Sequence, residues 1–362
     1  MNRGKMIALA AAAACLLGCS VPEGTLVLDC VDNGELHPVC GMQSPEDIAV
    51  VPGGDYLLLS ELGGIGERPG RILLFGVNDE SWRPLYPGTG AAATAPALPQ
   101  GDASCTQPPG SALSPHGSHL VQLADGSWRY LVVNHGGREA VEIFTLSTAA
   151  DAEPALRWQG CVFPADNTLI NDVVGLRNGD VIYTRMYHPD DLLGDLRGLL
   201  GLDSGDVWRW SKDTGVKLLP GTTGSLTNGL EISADERFIF INQYMDGKVQ
   251  KYDLAAQEVV GSTPVPHADN SAWAPGGELW LASQDFDVAS YMACTKDPAV
   301  TCGMAFEIIA LDPETMQSRV IFRHQGPPMG AATVATPHRD KVYIGSFLGD
   351  RLLVVPTSAF EP

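Results

Sequence analysis

The segment VPGGDYLLLS, at residues 51–60, places a glycine turn directly ahead of a run of strand-forming residues. The same order, with Gly, Asp, Asn or Pro ahead of aliphatic and aromatic residues, occurs six times along the chain. The other five segments are LADGSWRYLVVN (123–134), LRNGDVIYTR (176–185), SADERFIFIN (233–242), APGGELWLAS (274–283) and TPHRDKVYIGS (336–346). This pattern is typical of a hairpin turn that enters a mostly buried β-strand. Six copies favour an architecture of small repeated sheets.

A second strand follows each repeat and begins at a glycine or a charged turn. These strands are GRILLFGV (70–77), AVEIFTL (140–146), GDVWRWSK (205–212), GKVQKYDL (247–254), MAFEIIALD (304–312) and DRLLVVP (350–356). Several of them alternate apolar and polar residues, as outer strands that face solvent do. We therefore predict an all-β fold, a six-bladed β-propeller, in which GTLVLDCV (24–31) supplies the strand that closes the ring. A two-sheet sandwich or a pair of β domains is the alternative.

Residues 1–18 have the pattern of a signal peptide. Two basic residues precede an apolar run over residues 6–17, which is too short to span a bilayer. The run ends in LLGC, and this ending resembles the lipobox of bacterial lipoproteins, in which the cysteine, here Cys19, carries the lipid. An ordinary cleaved signal with a chance cysteine is the alternative. We expect residues 19–362 to form a single propeller domain, tethered by lipid to the periplasmic side of the outer membrane or else secreted.

The composition describes an acidic globular protein. The formal net charge is −20, and loss of the two basic residues of the signal leaves 21 basic against 43 acidic residues, or −22. Such a surface repels nucleic acid and attracts cations, so we expect no nucleic-acid partner. With 44% hydrophobic and 18% charged residues, the chain has a composition that excludes a disordered protein.

Six cysteines remain after Cys15 leaves with the signal and Cys19 takes the lipid. They are Cys30, Cys40, Cys105, Cys161, Cys294 and Cys302. An even number in an exported chain favours disulfides, and six cysteines allow fifteen connectivities. Short loops favour the pairs 30–40 and 294–302, which leaves 105–161. The spacings contain no C-x-x-C, which argues against a structural zinc site or a thioredoxin-like motif.

Two segments interrupt the repeat pattern. Residues 89–112, rich in Ala, Pro, Gly and Thr, have the composition of a long loop. Residues 189–202 have leucines at helical spacing and predict a short amphipathic helix on one face of the propeller. The leucines are Leu192, Leu193, Leu196, Leu199 and Leu200. Such a helix would either pack over a blade or cover an active site.

Acidic and amide residues lie just ahead of four of the repeats. They are Glu46 and Asp47 ahead of the first repeat, Asn171 and Asp172 ahead of the third, Asn228 ahead of the fourth, and Asp269 and Asn270 ahead of the fifth. Because their position relative to each repeat is the same, we expect them to project from one end of the ring towards its central channel. One such residue alone is usually a turn or cap residue, whereas recurrence at several blades indicates a shared site.

Calcium takes six to eight oxygen ligands from carboxylates, amides, carbonyls and water. A suitable set from four blades comprises Glu46, Asn171, Asn228, Asp269 and Asn270. Its two carboxylates would balance one dication, and its amide oxygens would fill further positions without adding repulsion. The sequence therefore predicts a calcium site in the channel.

Two histidines belong to the second repeat. His116 precedes it in SPHGSHL, and His135 ends it in LVVNHGG. Two neighbouring imidazoles can relay a proton and activate water, although a single histidine in a turn is usually structural. His119 is close to His116 in the sequence but is not assigned to the pair.

Eight segments, in one order, resemble the paraoxonase family of serum lactonases and arylesterases. They are SPEDIAVVPGGDYLLLS, PGRILLF, SPHGSHL, LVVNHGG, NDVVGL, TNGLEIS, DNSAWAPGGELWLAS and KVYIGSFLGDRLLVV. The resemblance runs from about Glu46 to Val355. It extends more loosely to the gluconolactonase and senescence-marker propellers, which share the type of segment found at Asn228.

The resemblance implies two calcium ions in the central channel. It assigns the catalytic ion to the five-residue set above, and the structural ion to Asp47 and Asp172 with the backbone carbonyl of Ser118. It also implies that His116 and His135 are a catalytic dyad, which gluconolactonases lack. The segment at 189–202 falls where paraoxonases have a helix at the mouth of the active site.

The chain departs from this family in three respects. No cysteine lies beyond Cys302, so the ring must close by strand pairing rather than by the family's disulfide. A lipid anchor would replace the family's uncleaved N-terminal helix. The NHGG segment differs after its histidine, which indicates a different substrate at that wall of the pocket.

These features together predict a calcium-dependent hydrolase of small lactones or aryl esters, in which water attacks a calcium-polarised carbonyl and the histidine dyad is the base. A calcium ligand, Glu46 or Asp269, is the alternative base. The sequence has no G-x-S-x-G elbow, no P-loop and no G-x-G-x-x-G after a strand, which argues against a serine hydrolase and against nucleotide binding. The competing hypotheses are a non-catalytic, calcium-stabilised propeller that binds a ligand or a protein, and a sugar-acid lactonase of the gluconolactonase type.

Overall fold

The computed structural model describes residues 25–64, 68–87, 100–148, 152–166, 168–188, 194–286, 288–297 and 299–361. The expected signal peptide and Cys19 lie outside these residues, as do Leu192, Leu193 and the first part of the 89–112 loop. The described chain forms six antiparallel blades around a central channel, which confirms the predicted six-bladed β-propeller.

The strands follow one another blade by blade. Two short strands come first, β1 (Leu26–Val27) and β2 (His37–Cys40). The first blade contains β3 (Pro45–Val50), β4 (Tyr56–Glu61), β5 (Arg71–Gly76) and β6 (Trp82–Tyr86). The second contains β7 (Gln100–Gly101), β8 (Pro115–Gln122), β9 (Trp128–Asn134), β10 (Ala140–Ser147) and β11 (Ala155–Val162). The third contains β12 (Leu169–Gly175), β13 (Val181–Tyr187), β14 (Asp206–Ser211) and β15 (Gly215–Leu218).

The remaining three blades repeat this plan. The fourth contains β16 (Thr227–Ile232), β17 (Phe238–Gln243), β18 (Lys248–Asp253) and β19 (Glu258–Pro264). The fifth contains β20 (Ala268–Trp273), β21 (Leu279–Gln284), β23 (Phe306–Leu311) and β24 (Ser318–His324), with β22 (Thr301–Cys302) in the connection before β23. The sixth contains β25 (Ala332–His338), β26 (Lys341–Ser346) and β27 (Arg351–Pro356). Two short helices, α1 (Gly194–Leu199) and α2 (Val288–Cys294), lie in the connections after β13 and β21.

The ring closes through β2, which pairs antiparallel with β27 and completes the sixth blade. The prediction that residues 24–31 supply the closing strand is therefore wrong. Within that segment only Leu26–Val27 forms a strand, and it pairs with β22 instead. Leu28 and Val31 are 78% and 61% exposed, so these apolar residues find no place in a sheet.

The innermost strand of each blade is the one before the repeat recognised in the sequence. The strands β3, β8, β12, β16, β20 and β25 are neighbours in this order around the channel, and β25 returns to β3. The repeats instead supply the second strand of each blade, which is nearly continuous in buried apolar residues, as in β4 with Leu57, Leu58 and Leu59. The innermost strands were missed because they carry polar side chains, such as Glu46, Asp47 and Asn228, that interrupt the apolar pattern.

The hydrophobic core is divided among the interfaces between blades. One cluster joins Leu59 and Leu73 of the first blade to Tyr343 and Val354 of the sixth. Burying a leucine or valine side chain contributes roughly 1.5–3 kcal/mol, so these interfaces hold the ring closed without a disulfide between the first and last blades.

Three disulfides are present, and they join Cys30 to Cys40, Cys105 to Cys161, and Cys294 to Cys302. They confirm the two pairs that short loops favoured and the third pair, between Cys105 and Cys161, that remained. The first holds the segment before the closing strand, the second ties the loop before β8 to β11, and the third ties α2 to β22. Among the described residues, no helix is long and apolar enough to span a bilayer.

Candidate functional site

Every innermost strand is irregular at the same level of the channel. The pairing register with the second strand shifts between Pro45 and Asp47, Pro115 and Ser118, Ile170 and Val173, Thr227 and Leu230, Ala268 and Ser271, and Ala332 and Val334. A bulge leaves residues unpaired and redirects their side chains. The unpaired residues include Glu46, His116, Asn171, Asn228, Asp269 and Asn270, so five of the six bulges present the predicted polar residues together.

Two glycines within the bulges allow adjacent strands to approach closely. A methyl group on Gly117 would overlap Asp172 Oδ1, and one on Gly229 would overlap the backbone oxygen of Asp269. Any larger residue would push the neighbouring ligand-bearing strands apart. The sequence therefore has glycine next to His116 and next to Asn228.

The predicted catalytic-ion residues are all buried, and four of them form hydrogen-bonded pairs. Asn270 Nδ2 donates to Glu46 Oε1 at 2.6 Å, and Gln284 Nε2 donates to Asp269 Oδ2 at 2.7 Å. Asn228 hydrogen-bonds the Asp269 carboxyl. Asn171 lies in the bulge of β12, between the strands that carry His116 and Asn228.

Four buried side-chain oxygens in this group have no hydrogen-bond partner. They are Glu46 Oε2, Asn171 Oδ1, Asn228 Oδ1 and Asn270 Oδ1. Buried acceptors are almost always paired, and an unpaired one costs about 1–3 kcal/mol. Carboxylate and amide oxygens are also the ligands that calcium prefers. The residues present therefore fit a bound calcium ion.

The electrostatics of the channel agree with that fit. Burial raises the pKa of the Glu46 carboxyl well above its usual range, and the nearby Asp269, Asp47 and Asp172 carboxyls raise it further. Burial likewise raises the pKa of Asp269 to about 8 and the pKa values of Asp47 and Asp172. In the described part of the chain, the ion pairs of these four carboxyls are limited to Glu46 with His116 Nε2, at 3.7 Å. None of the described Lys and Arg side chains pairs with this buried acid.

The residues assigned to a second ion are bonded across strands. Asp47 Oδ2 accepts from the backbone N–H of Ser118 at 2.6 Å and from its hydroxyl at 2.8 Å. Asp172 Oδ2 accepts from Leu230 N at 2.7 Å. In this contact Ser118 donates from its backbone N–H and its hydroxyl, whereas the sequence assigned its backbone carbonyl as an ion ligand.

A cavity of about 780 Å³ opens at the end of the channel where the innermost strands finish. Its lining includes Asp47, Ser118 and Asp172, together with His119 and Glu231, but not Glu46 or His116. The two predicted ion groups therefore differ in access, and the second faces the end opposite the histidine pair.

His116 and His135 are in direct contact. His116 Nδ1 lies 2.9 Å from His135 Nε2, because the register pairs Pro115 with Asn134 at the ends of β8 and β9. Burial, together with the neighbouring His135, lowers the pKa of His116 well below its usual range. His116 is therefore a neutral imidazole at neutral pH, as a general base must be.

His119 does not join this pair. Its Nδ1 accepts from Gly175 N at 3.2 Å, and its Nε2 lies 3.7 Å from Glu231 Oε1 at the far cavity. Burial lowers its pKa to about 4.

Sequence reasoning missed several residues around the site. Glu139 contacts His135 Nδ1 at 2.9 Å, and Thr333, at the bulge of the sixth blade, donates to the Glu46 carbonyl at 2.6 Å. Tyr244 donates its hydroxyl to Gln284 Oε1 at 2.8 Å and so supports the Asp269 contact. Only Thr333 had a signal in the sequence, since it precedes the sixth repeat as Glu46 precedes the first.

One further group of metal-type side chains occurs among the described residues, namely Cys105, Glu142 and Cys161. The two cysteines form a disulfide, and Glu142 pairs with Arg138 and with Trp158 Nε1. This group is structural.

The helix α1 confirms the expected short helix on the face that carries Glu46, although its leucines do not pack inward. Leu196, Leu199 and Leu200 are 47%, 49% and 66% exposed. The packing interpretation of these leucines is therefore wrong. Gly198 makes the contact instead, with its carbonyl accepting from Ser225 Oγ at 2.8 Å. A leucine at that position would collide with Leu226.

Comparison with solved structures shows the fold. A luciferin-regenerating enzyme is 13% identical over 90% of this chain and 97% of its own, with a TM-score of 0.53. A putative gluconolactonase is 14% identical over 94% and 97%, with a TM-score of 0.50. A gluconolactonase from Xanthomonas campestris is 17% identical over 89% of each chain, with a TM-score of 0.50.

No curated protein has a matching sequence. The family model for arylesterases, by contrast, matches residues 31–351, from the segment before the closing strand to the last strand of the sixth blade. The chain therefore belongs to the arylesterase family, that of the paraoxonases.

Proposed function

We propose that this chain is a calcium-dependent hydrolase of lactones or aryl esters, with two calcium ions along its channel. The observation that carries the proposal is the group of four buried, unpaired side-chain oxygens beside crowded, buried carboxyls. Membership of the arylesterase family supports ester chemistry, and two structurally similar propellers are described as gluconolactonases.

One ion would be held by Glu46, Asn171, Asn228, Asp269 and Asn270, and the other by Asp47 and Asp172 with Ser118. A divalent ion in the first position supplies a Lewis acid that polarises the substrate carbonyl and stabilises the developing oxyanion. The hydrogen bond from Asn270 in the fifth blade to Glu46 in the first blade keeps this group assembled.

His116 is the proposed base. Its Nε2 faces Glu46, and its lowered pKa leaves a lone pair available to accept a proton from the attacking water. His135 holds the opposite nitrogen of His116 at 2.9 Å and stabilises the imidazolium that forms. If His116 is not the base, Glu46 or Asp269 takes its place.

The end of the channel beside these residues, here called the mouth, is apolar and aromatic, which favours hydrophobic substrates. From Tyr244, whose hydroxyl reaches Gln284, ring contacts at 5.2–6.4 Å run through His267, Phe286 and Tyr291 to Phe347. The exposed leucines of α1 lie on the same face. An aryl or alkyl group of the substrate would pack against these side chains while its carbonyl reaches the site.

A lipid at Cys19 would hold this mouth near the outer membrane, or the protein would be secreted without it. Intact mass measurement of the protein purified from its native envelope tests this part. A mass increased by acyl chains on an N-terminal Cys19 supports the anchor, and an unmodified N-terminus refutes it.

The test of the proposed function compares three histidine variants on aliphatic, aryl and sugar lactones. His116→Gln and His135→Gln should lower kcat by roughly 10²–10⁴, the usual contribution of a general base. His119→Gln is the matched control, since it removes a buried imidazole at the far end of the channel, and should stay within about threefold of the parent.

Calcium binding and melting temperature are measured alongside, so that a folding defect is recognised. Activity that survives both substitutions would move the base to a carboxylate and favour sugar-acid lactonase chemistry. A parent protein that binds calcium but hydrolyses none of the substrates would overturn the hydrolase and leave a binding propeller.

A further inference from the structure

Glu139 is a half-buried carboxyl next to the histidine pair, in the loop between β9 and β10. Its two oxygens lie 3.1 and 2.9 Å from His135 Nδ1. Its Oε1 also accepts from the backbone N–H of Ile170 at 2.7 Å. The side chain of His135 is 1% exposed and that of Glu139 is 19% exposed, so both contacts are shielded from water.

The neighbouring cation does not neutralise this carboxyl. Arg138 directs its guanidinium to both oxygens of Glu142, at 2.8 and 2.7 Å, and to the carbonyl of Gln107 at 2.7 Å. The hydrogen-bond partners of Glu139 are thus His135 and the backbone of β12.

The hydrogen-bond directions then follow from chemistry. A carboxylate only accepts, so His135 Nδ1 carries a hydrogen and donates it to Glu139. In the tautomer with its hydrogen on Nδ1, His135 accepts at Nε2, and the hydrogen between the two rings belongs to His116 Nδ1. The remaining nitrogen, His116 Nε2, has a free lone pair, and it is the atom that faces Glu46 at 3.7 Å.

We propose that Glu139 is a positioning residue that selects this tautomer and makes Glu139, His135 and His116 a three-membered proton relay. The inference rests on the proposed hydrolase. Neither the sequence pattern nor the family assignment points to this carboxyl.

The relay balances through one turnover. As the water oxygen bonds to the carbonyl carbon, one water proton passes to His116 Nε2. The positive charge is shared with His135, whose Nδ1–H stays hydrogen-bonded to Glu139. When the ester C–O bond breaks, His116 returns the proton to the leaving oxygen. The carboxylic acid product then ionises into solvent.

The contact with Ile170 gives the relay a fixed relation to the metal-type residues. Ile170 directly precedes Asn171 on β12, so a single carboxyl joins the loop that carries His135 to a strand that carries a predicted ligand.

The test uses Glu139→Gln and Glu139→Ala in the full chain with calcium present. Glutamine can still accept from Ile170 and from His135 but carries no charge, so we expect kcat to fall about 10- to 100-fold with an unchanged KM. Alanine removes the acceptor, and we expect a larger loss, approaching the roughly 10⁴-fold effect of an equivalent tautomer error in a Ser-His-Asp triad. Glu278→Gln removes a surface carboxyl paired with Arg319 and is the matched control, expected to match the parent.

The decisive readout is the ¹⁵N chemical shifts of His135, which report the protonated nitrogen directly. We expect an Nδ1–H tautomer in the parent and in Glu139→Gln, and loss of that preference in Glu139→Ala with calcium affinity unchanged. Near-parental kcat in both variants, while His116→Gln is inactive, would overturn the relay and leave the hydrolase standing. Equal loss of calcium affinity and activity in Glu139→Ala, restored by excess calcium, would show a structural role and also overturn it. If His116→Gln is fully active as well, the proposed function itself fails.

Discussion

Replacing Asp269 by asparagine removes one of the four crowded carboxyls from the channel while keeping the size of the side chain. Burial raises the pKa of this group to about 8, against about 3.9 in an unfolded chain. The folded state of the calcium-free protein therefore holds its proton far more tightly than the unfolded state does. A raised carboxyl pKa costs stability at every pH above the unfolded value.

At pH 7 that interval is about three pH units, each equivalent to about 1.4 kcal/mol, so the carboxyl costs at most about 4 kcal/mol in the calcium-free protein. Asparagine avoids this cost and can still accept from Gln284. We expect Asp269→Asn to raise the melting temperature in chelator by up to about 5 °C for a chain of this length. In calcium the same substitution removes a ligand, so the stabilisation by calcium should shrink or vanish.

The assay is thermal unfolding at pH 7 with chelator and with calcium. Asp253→Asn is the contrasting control, because the backbone N–H of Ala256 and the nearby Arg237 lower the pKa of this carboxyl, so its loss should destabilise the protein under both conditions. An Asp269→Asn variant that melts lower than the parent in chelator would refute the reasoning. That result would mean that the Asp269 carboxyl does not destabilise the folded protein without calcium.

Three further outcomes follow from the structure. In chelator, the free energy of unfolding should rise as the pH falls from about 8 to about 6.5, because the raised carboxyl pKa values favour proton uptake by the folded state. Calorimetric titration with calcium should show weaker calcium binding as the pH falls over the same interval. Replacing Cys105 and Cys161 by alanine should lower the free energy of unfolding by about 4 kcal/mol in denaturant titrations, against about 2.5 kcal/mol for the Cys294–Cys302 pair, because the loops span 56 and 8 residues. Gly229→Ala should cost about 1–3 kcal/mol in the same titrations and weaken calcium binding, because the added methyl separates β16 from β20.

The sequence was sufficient to predict the number of blades because the second strands are apolar, are preceded by recognisable turns and occur six times. It was insufficient for the innermost strands, since Glu46 and Asn228 sit at bulges, where alternation fails and the residues resemble turn residues. The closing strand was misplaced for a related reason. GTLVLDCV has the higher apolar content, whereas the partner of β27 is decided by backbone pairing of His37–Cys40.

The site was predictable where position repeats between blades and not where it depends on loop geometry. Glu46, Asn171 and Asp269 share a place relative to their repeats, so their convergence followed from the fold. The role of Glu139 depends on the turn after His135, which brings Glu139, four residues later, against the His135 ring and the backbone of Ile170. A single sequence contains no signal for this turn. Likewise, Gln284 has the appearance of an ordinary strand end.

The most direct test of the calcium site is an anomalous diffraction measurement on crystals grown with calcium. The account predicts a strong peak within about 2.3–2.6 Å of the oxygens that now lack a partner, on Glu46, Asn171, Asn228 and Asn270. A well-ordered channel with only water between these oxygens, at calcium concentrations that saturate any measured binding, would contradict it.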